Sequence, residues 1–120
     1  SLDLLADLKA FALIQRHAAA DATVVPAAEA LAIATGVHAP LLGAGAALTP
    51  GAPADFLLLR RDAYEIGVGD LAADLVYAAS GSVVDTTVVA GRVLMRGGVV
   101  EGAEEVVAQA TERARRLGIA

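Results

Sequence analysis

Few side chains in this 120-residue sequence could do chemistry, and those that could stand far apart. The two histidines, His17 and His38, have no cluster of carboxylates beside them. A zinc site needs three or four ligands at defined geometry, and the sequence has no His-x-His and no His-Glu-x-x-His spacing. There is no cysteine to serve as nucleophile or metal ligand. We therefore predict no catalytic residue and no metal ligand in this chain, with each histidine at the surface or at a helix end.

Two glycine-containing loops resemble cofactor loops only in part. The segment GAGAAL, residues 43–48, has two glycines of a dinucleotide-binding loop but lacks the third. Thr49-Pro50-Gly51 follows at once, so the helix that such a loop requires cannot form. The segment GVGD, residues 67–70, is interpreted as a loop that caps a short helix.

The remaining candidates for catalytic side chains are isolated hydroxyl and carboxylate groups. Ser80 and Ser82 flank Gly81, and no histidine lies close in sequence to activate either hydroxyl. A triad assembled from distant residues stays open at this point. Asp74 and Asp85 are lone carboxylates, which we expect on a helix surface and at a turn or strand edge.

Composition excludes some classes of protein. The net charge of −5 argues against a nucleic-acid binder, which would need a basic surface to neutralise phosphates. Apolar residues make up 57% of the chain, and residues 30–54 carry no charge, but the glycines and prolines in that stretch break any helix long enough to span a membrane. No basic segment leads an apolar run as in a signal peptide. Together with the lack of cysteine, these features lead us to expect a cytoplasmic protein with no membrane partner.

Four helices are predicted from capping residues and apolar spacing. The first covers residues 1–20 with Ser1 as its N-cap, and the second begins at Pro26 and ends at Gly36. A short third helix covers residues 70–80 with Asp70 as its cap, and Leu71, Leu75 and Ala78 are spaced along one face as its expected apolar stripe. The last covers residues 102–117, and its inward stripe is expected to be Ala103, Val107, Ala110, Ala114 and Leu117.

Strands are predicted between these helices. FLLLR, residues 56–60, is an uninterrupted apolar run typical of a buried strand. Residues 84–100 alternate β-branched positions around turns at Ala90-Gly91 and Gly97-Gly98, which indicates a meander of at most three strands. Helices and an antiparallel sheet in one small chain predict an α+β fold.

Two segments resemble a known enzyme family. LTPGAPADFLLL, residues 48–59, is similar to a Pro-Gly-x-x-Ala-Asp-hydrophobic segment of the amidohydrolase superfamily. LVYAASGSVVDTTVVAGRVLMRGGVV, residues 75–100, resembles the tail of the branch with triazine chlorohydrolases and S-adenosylhomocysteine/methylthioadenosine, guanine and 8-oxoguanine deaminases. The two predicted N-terminal helices resemble the last barrel helix and the link after it. The positions that match the family, all interpreted as structural, are Pro50, Gly51, Ala54, Asp55, Gly81, Asp85, Gly91 and Arg92.

The resemblance implies a place in a larger fold. Family members combine a (β/α)8 barrel with a small β-sandwich lobe, and one divalent metal, zinc or iron, activates water. By that layout, residues 1–45 would end the barrel, residues 46–101 would give sandwich strands with a short helix at 70–80, and residues 102–120 would form a terminal helix. All family metal ligands would precede Ser1, so this chain would bind no cofactor itself.

Two functions follow as hypotheses. In the first, the chain is the C-terminal part of a metal-dependent hydrolytic deaminase or chlorohydrolase acting on a nitrogen heterocycle, and its partner is the rest of the barrel on the same or a second chain, in an oligomer. In the second, it is a stand-alone, non-catalytic scaffold or partner subunit of the same descent. An unrelated α+β domain is the third possibility. The first hypothesis predicts exposed apolar surface and unpaired strand edges.

Overall fold

A computed structural model describes residues 2–37 and 48–119. Its α+β architecture has four α-helices and four strands. In chain order they are α1 (Leu4–Ala19), α2 (Ala27–Ala34), β1 (Phe56–Leu59), α3 (Leu71–Ala73), β2 (Val84–Val89), β3 (Arg92–Arg96), β4 (Val99–Val100) and α4 (Ala103–Arg116). A π-helical turn, Asp74–Ala78, continues α3, and a 3₁₀ turn, Gly81–Val83, leads into β2. Among the described residues no helix is long and apolar enough to cross a membrane.

The first helix begins at a different cap from the one predicted. Asp3 is the N-cap of α1, and its Oδ1 accepts hydrogen bonds from the backbone N–H groups of Leu5 (3.0 Å) and Ala6 (3.4 Å). The prediction of Ser1 was wrong because Asp3 stands in the extended conformation of a cap, directly before the first helical residue. The second helix agrees with its prediction, with Pro26 before its first turn and Gly36 in a left-handed conformation after its last.

The third helix is not regular. After one turn it widens into the π-helical turn, and this shifts the buried face. Leu75, Val76 and Ala79 are buried, whereas the predicted stripe contained Leu71, which is half exposed, and Ala78, which is exposed. The Asp70 cap is confirmed by its hydrogen bond from the N–H of Ala72 at 2.9 Å.

The strands form one antiparallel sheet in the order β1-β2-β3-β4. The prediction of at most three strands in residues 84–100 is confirmed, since β2, β3 and β4 form this meander. The separately predicted strand β1 pairs with β2 in a register that sets Phe56 opposite Val88. The prediction that β1 is buried was wrong within the described chain: Leu57 and Leu58 at its centre are 54% and 51% exposed. The hairpin turn is confirmed, with both Ala90 (φ 48°) and Gly91 (φ 74°) left-handed as in a type I′ turn.

Two small clusters of buried side chains form the core. The helical cluster joins α1, α2 and the π-helical turn and consists of Leu8, Ala12, Ala27, Ala30 and Val76. The second cluster lies nearer the sheet and consists of Ala63, Leu75, Ala79 and Val83. Val76 and Val83 are fully buried, and Leu31 packs against both clusters, so the two form a continuous interior.

The apolar stripe of the last helix is exposed to solvent in the described chain. The acidic first turn, the basic last turn, the left-handed Gly118 and the Glu112–Arg116 ion pair agree with the prediction. The prediction that its stripe packs inward was wrong for the described chain. Val107 is 64% exposed, Leu117 is 74% exposed, and α4 contributes no buried residue.

Candidate functional site

The chemistry-bearing candidates lie apart from one another. His17 is exposed in the last turn of α1, while His38 and residues 43–47 of the GAGAAL segment lie outside the described residues. The hydroxyls of Ser80 and Ser82 bond to each other at 2.8 Å. Within residues 2–37 and 48–119, no three histidine, cysteine, aspartate or glutamate residues come together as metal ligands could.

Asp74 has a structural partner in the second glycine loop. Its Oδ2 accepts a hydrogen bond from the backbone N–H of Gly67 at 2.8 Å, which holds the 67–70 loop against the π-helical turn. The carboxylate of Asp74 therefore has a structural role in the fold. Because this carboxylate lies against the 67–70 loop, it would repel a phosphate bound there.

The matched positions around Pro50 meet the hairpin turn. The N–H of Ala52 donates to the carbonyl of Thr49 at 3.0 Å, and Gly51 has a φ of 90°, as a type II turn with proline before glycine requires. Farther on, the carbonyl of Ala54 accepts from the N–H of Gly91 at 3.0 Å. Asp55 Oδ1 accepts from the N–H of Ala90. Residues 35 positions apart thus fasten β1 to the β2–β3 turn.

The remaining matched positions serve β2 and its neighbours. Asp85 Oδ2 accepts from the hydroxyl of the buried Thr86 at 2.6 Å, and the carbonyl of Asp85 accepts from the N–H of Gly98 in the β3–β4 turn at 2.9 Å. Arg92 is exposed and begins β3 opposite Val89. Asp85 therefore satisfies a buried hydroxyl with its side chain and ties the second turn to β2 with its backbone.

Asp3 connects the two halves of the chain, and sequence reasoning missed this. Besides capping α1, its carboxylate accepts a hydrogen bond through Oδ2 from the N–H of Gly81 at 2.9 Å, 78 residues away. The Gly81 N–H, assisted by those of Ala6 and Leu5 and opposed by desolvation, lowers the pKa of Asp3 below its ordinary value of 3.8. A short polar residue before an apolar helix signals a cap, but nothing in the sequence signals a partner so distant.

Arg16 is a second linking residue that the sequence did not reveal. Its Nε and Nη2 donate to the carbonyls of Val24 (3.1 Å) and Val25 (3.2 Å) in the α1–α2 connection. Its guanidinium also lies 5.2 Å from the ring centroid of Tyr77, within the range of a cation–π contact. Arg16 thereby holds the connection and the π-helical turn against the same end of α1.

An apolar groove of about 880 Å³ opens between the helices and the sheet. Its walls come from α1, α2, β1 and β2, and the side chains that line it include Leu4, Leu5, Leu8, Phe11, Leu31, Ile33, Phe56, Leu57, Leu59, Val84, Val88 and Val89. Of the two carboxylates in its lining, Asp7 and Asp55, the second is already bonded to Ala90. A groove with so few free polar groups suits another apolar protein surface better than a polar small molecule.

Curated proteins match almost the whole chain. It is 44% identical over 119 residues to a 5'-deoxyadenosine deaminase of Methanoregula boonei, in a match that covers 98% of this chain and 27% of the relative. It is 41% identical to a 5-methylthioadenosine/S-adenosylhomocysteine deaminase of Moorella thermoacetica, over 94% of this chain and 28% of the relative. The chain therefore spans about a quarter of the length of the curated relatives it matches. No protein-family model matches it.

A solved structure has the same fold over the same extent. The crystal structure of a Xanthomonas campestris adenosine deaminase with bound zinc superposes with a TM-score of 0.84, covering 98% of this chain and 28% of that one at 21% identity. This likeness shows a shared fold. The curated relatives show that the chain is similar over nearly its whole length to the C-terminal portion of deaminases named for adenosine derivatives, and the predicted resemblance is confirmed.

Proposed function

We propose that this chain is the C-terminal part of a metal-dependent hydrolytic deaminase of adenosine-type nucleosides, in which it supports the catalytic barrel. The observation that carries the proposal is the 44% identity across 98% of the chain to a 5'-deoxyadenosine deaminase. In this proposal residues 1–45 end the barrel, residues 46–101 belong to a β-sandwich lobe and residues 102–120 form a terminal helix. The matched positions from Pro50 to Arg92 keep the structural roles described above, and the enzyme is placed in the cytoplasm.

The apolar groove supports this assignment. Leu4 is 82% exposed at its rim and Leu57 is 54% exposed on its β1 wall. Leaving such side chains in water costs roughly 25 cal/mol per Å² of apolar surface, which a covering protein surface would recover. The outer edge of β1 is also unpaired within the described chain, because β1 has β2 as its one neighbour. The proposal assigns both surfaces to contacts with the barrel.

The residues that the structure describes do not fit a metal site. A hydrolytic metal needs three protein ligands and an open position for water, and the described part of this chain brings no such set together. The one described histidine, His17, is exposed at a helix end and forms no ion pair with a carboxylate of the described residues. We therefore place the metal ligands outside these residues and derive no catalytic step from them.

The experiment begins with the coding sequence upstream of Ser1. We expect an open frame with a His-x-His near its start and further histidines and an aspartate behind it. The full reading frame and the 120-residue chain are then purified, and metal content and ammonia release from 5'-deoxyadenosine are measured for each. Bound metal and deamination are expected for the full frame alone. The proposal is overturned if the 120-residue chain binds metal and deaminates without the preceding region, or if the upstream frame lacks those ligands.

A matched pair of substitutions tests the supporting role of the groove. In the full frame, Leu57→Glu places a charge on the groove wall, whereas Arg61→Glu changes an exposed residue in the connection after β1. We expect L57E to lower the yield of metal-loaded enzyme severalfold and R61E to leave it unchanged. If the chain alone is instead a monodisperse monomer with one sharp melting transition, and L57E changes nothing, the stand-alone scaffold is the better description.

A further inference from the structure

One carboxylate in the lining of the apolar groove has no hydrogen-bond donor. Asp7 stands in the first turn of α1, lines the groove and is exposed. Within residues 2–37 and 48–119 its side chain forms no ion pair and no hydrogen bond. Asp55, the other carboxylate of the lining, already accepts a hydrogen bond from the N–H of Ala90. Asp7 is therefore the carboxylate that the described part of the groove leaves uncompensated.

The helices and strands around the groove supply no cation for Asp7. The positions three and four residues before and after it, where an ion-pair partner on the same helix would stand, hold no basic residue. Lys9 is two residues away and so lies on a different side of the helix. Arg16 and His17 stand in the last turn of α1, about 14 Å along its axis, and Arg16 is already bonded to two carbonyls. The strands and helix that complete the walls, α2, β1 and β2, contain no lysine or arginine.

The apolar walls make a partner necessary once the groove is covered. Leu4 and Phe11 stand three and four residues from Asp7, on the same face of α1, and both line the groove. A protein surface that buries these side chains also removes water from around the Asp7 carboxylate. A carboxylate that loses its water without gaining a cation is strongly unfavourable. The covering surface should therefore present a lysine or arginine among apolar side chains.

The place of Asp7 in the fold indicates which part of the protein covers it. Leu4 and Leu5, at the start of α1, line the groove, so a segment that precedes α1 would join the fold at the rim of the groove. The chain spans 27% of the length of a curated relative, and the proposed function places the rest of the barrel before it. In a symmetric contact between two grooves, by contrast, Asp7 would approach a second Asp7 and not a cation.

We infer that Asp7 is the recognition carboxylate of the groove and forms a buried ion pair with a lysine or arginine of the barrel segment that covers it. The inference rests on the proposed function, which places that segment before this chain. It adds the chemistry of the contact, one basic side chain surrounded by apolar ones. The ion pair selects how the segment is seated, because any placement without a cation at this point leaves Asp7 desolvated and unpaired.

Two matched charge reversals in the full reading frame test the ion pair. Asp7→Lys sets two like charges together. Glu29→Lys is the control, because Glu29 is also an exposed acid in the first turn of a helix but does not line the groove. Both variants lose the same interaction with a helix dipole. We expect D7K to lower the thermal unfolding midpoint of the full protein by at least about 5 °C and E29K by less than about 2 °C. An effect of D7K no larger than that of E29K overturns the inference.

A second set of charge reversals identifies the partner. Each lysine and arginine of the full protein is changed to glutamate in the D7K background, and one that precedes Ser1 is expected to restore at least about half of the lost midpoint. The same second change is expected to restore nothing in E29K. The inference is overturned if no reversal rescues D7K, or if the rescuing residue lies within residues 1–120, as a groove filled by a second copy predicts. Metal content and ammonia release test the proposed function separately, so a full protein that lacks both but shows the rescue overturns that function alone.

Discussion

Valine side chains are buried in one region of the molecule and exposed in another. Val76 and Val83, at the centre of the chain, are fully buried, whereas Val99 in β4 and Val107 in α4 are 69% and 64% exposed. All four are valines in regular or turn structure, so composition does not separate them. Val76 is covered because α1, α2 and the π-helical turn converge on it.

The difference shows where the stability of the chain originates. The helical cluster and its neighbour near the sheet draw side chains from several elements, so the loss of one side chain is felt by all of them. Residues 92–119 form only local structure, a hairpin and a helix that ends at the left-handed Gly118, without a buried residue among them. Substitutions in the first region should therefore change folding, and substitutions in the second should change it little.

The largest expected effect comes from equal truncations in the two regions. Val76→Ala removes two methyl groups from a fully buried site and leaves a cavity, which should lower the free energy of unfolding by about 2–3 kcal/mol. Val99→Ala, the matched control, should change it by less than about 0.5 kcal/mol. Urea denaturation at low chain concentration measures both. Equal losses would remove the distinction between the regions.

The next effect concerns the arginines of the two regions. Arg16→Lys loses the two-nitrogen contact to the Val24 and Val25 carbonyls and the stacking on Tyr77, which should cost about 1–2 kcal/mol of unfolding free energy. Arg113→Lys, in exposed α4, should cost almost nothing in the same denaturation experiment. If R16K is as stable as the parent, the guanidinium contacts do not hold the α1–α2 connection.

A pH effect should mark the Asp3 link. Because the pKa of Asp3 is lower in the folded chain, its contribution to stability is fully present above the ordinary value of 3.8 and is lost as pH falls through the lower folded value. Asp3→Asn puts an N–H₂ group where the N–H of Gly81 needs an acceptor, so the urea midpoint should fall at pH 7 and depend less on pH below 4.

The control for that titration is Asp21. Its pKa is also lowered, by the hydroxyl and N–H of Thr23 two residues away. A contact between residues so close in sequence also forms in the unfolded chain. Asp21→Asn should therefore move the urea midpoint less than D3N does. If the urea midpoint falls equally in D3N and in the parent as the pH is lowered below 4, the Gly81 contact contributes nothing to folding.

The smallest expected effect is a gain in the free energy of unfolding from a change in the hairpin turn of the sheet. Ala90 holds a left-handed φ of 48° in the hairpin turn, a conformation that asparagine tolerates better than alanine. Ala90→Asn should therefore raise the free energy of unfolding by about 0.5–1 kcal/mol, measured by thermal or urea denaturation. Ala52→Asn, at a position without a positive φ, should give no such gain. A loss in A90N would mean that the contact between Asp55 and the Ala90 N–H does not survive the change.

The sequence predicted those features that local chemistry decides. Pro26, Gly36, Asp70 and Gly118 mark helix ends, and Ala90-Gly91 marks the hairpin, because caps and tight turns depend on one or two residues. The order of the matched motifs also predicted the relationship to deaminases that the comparisons confirmed.

The features that were missed depend on distant partners. FLLL reads equally well as a buried strand or an exposed one, and its pairing with β2 joins residues about 30 positions apart. The widening of the helix at Asp74 and the second hydrogen bond of Asp3 leave no local pattern either. For the same reason, the sequence predicted that apolar surface would be exposed but did not predict where the apolar groove would lie.

The hydrogen bond from Gly81 to Asp3 also orders events during synthesis of the chain. At about 5–20 residues per second, the ribosome needs roughly 4–16 s to add the 78 residues that separate the two groups. Throughout that interval α1 has its cap but lacks the 3₁₀ turn, Gly81–Val83, to which it will be tied. The hairpins of residues 84–100, by contrast, close within microseconds of emerging. The first helix is therefore packed against α2 early, and it is fastened through Asp3 only late, as the protein is made.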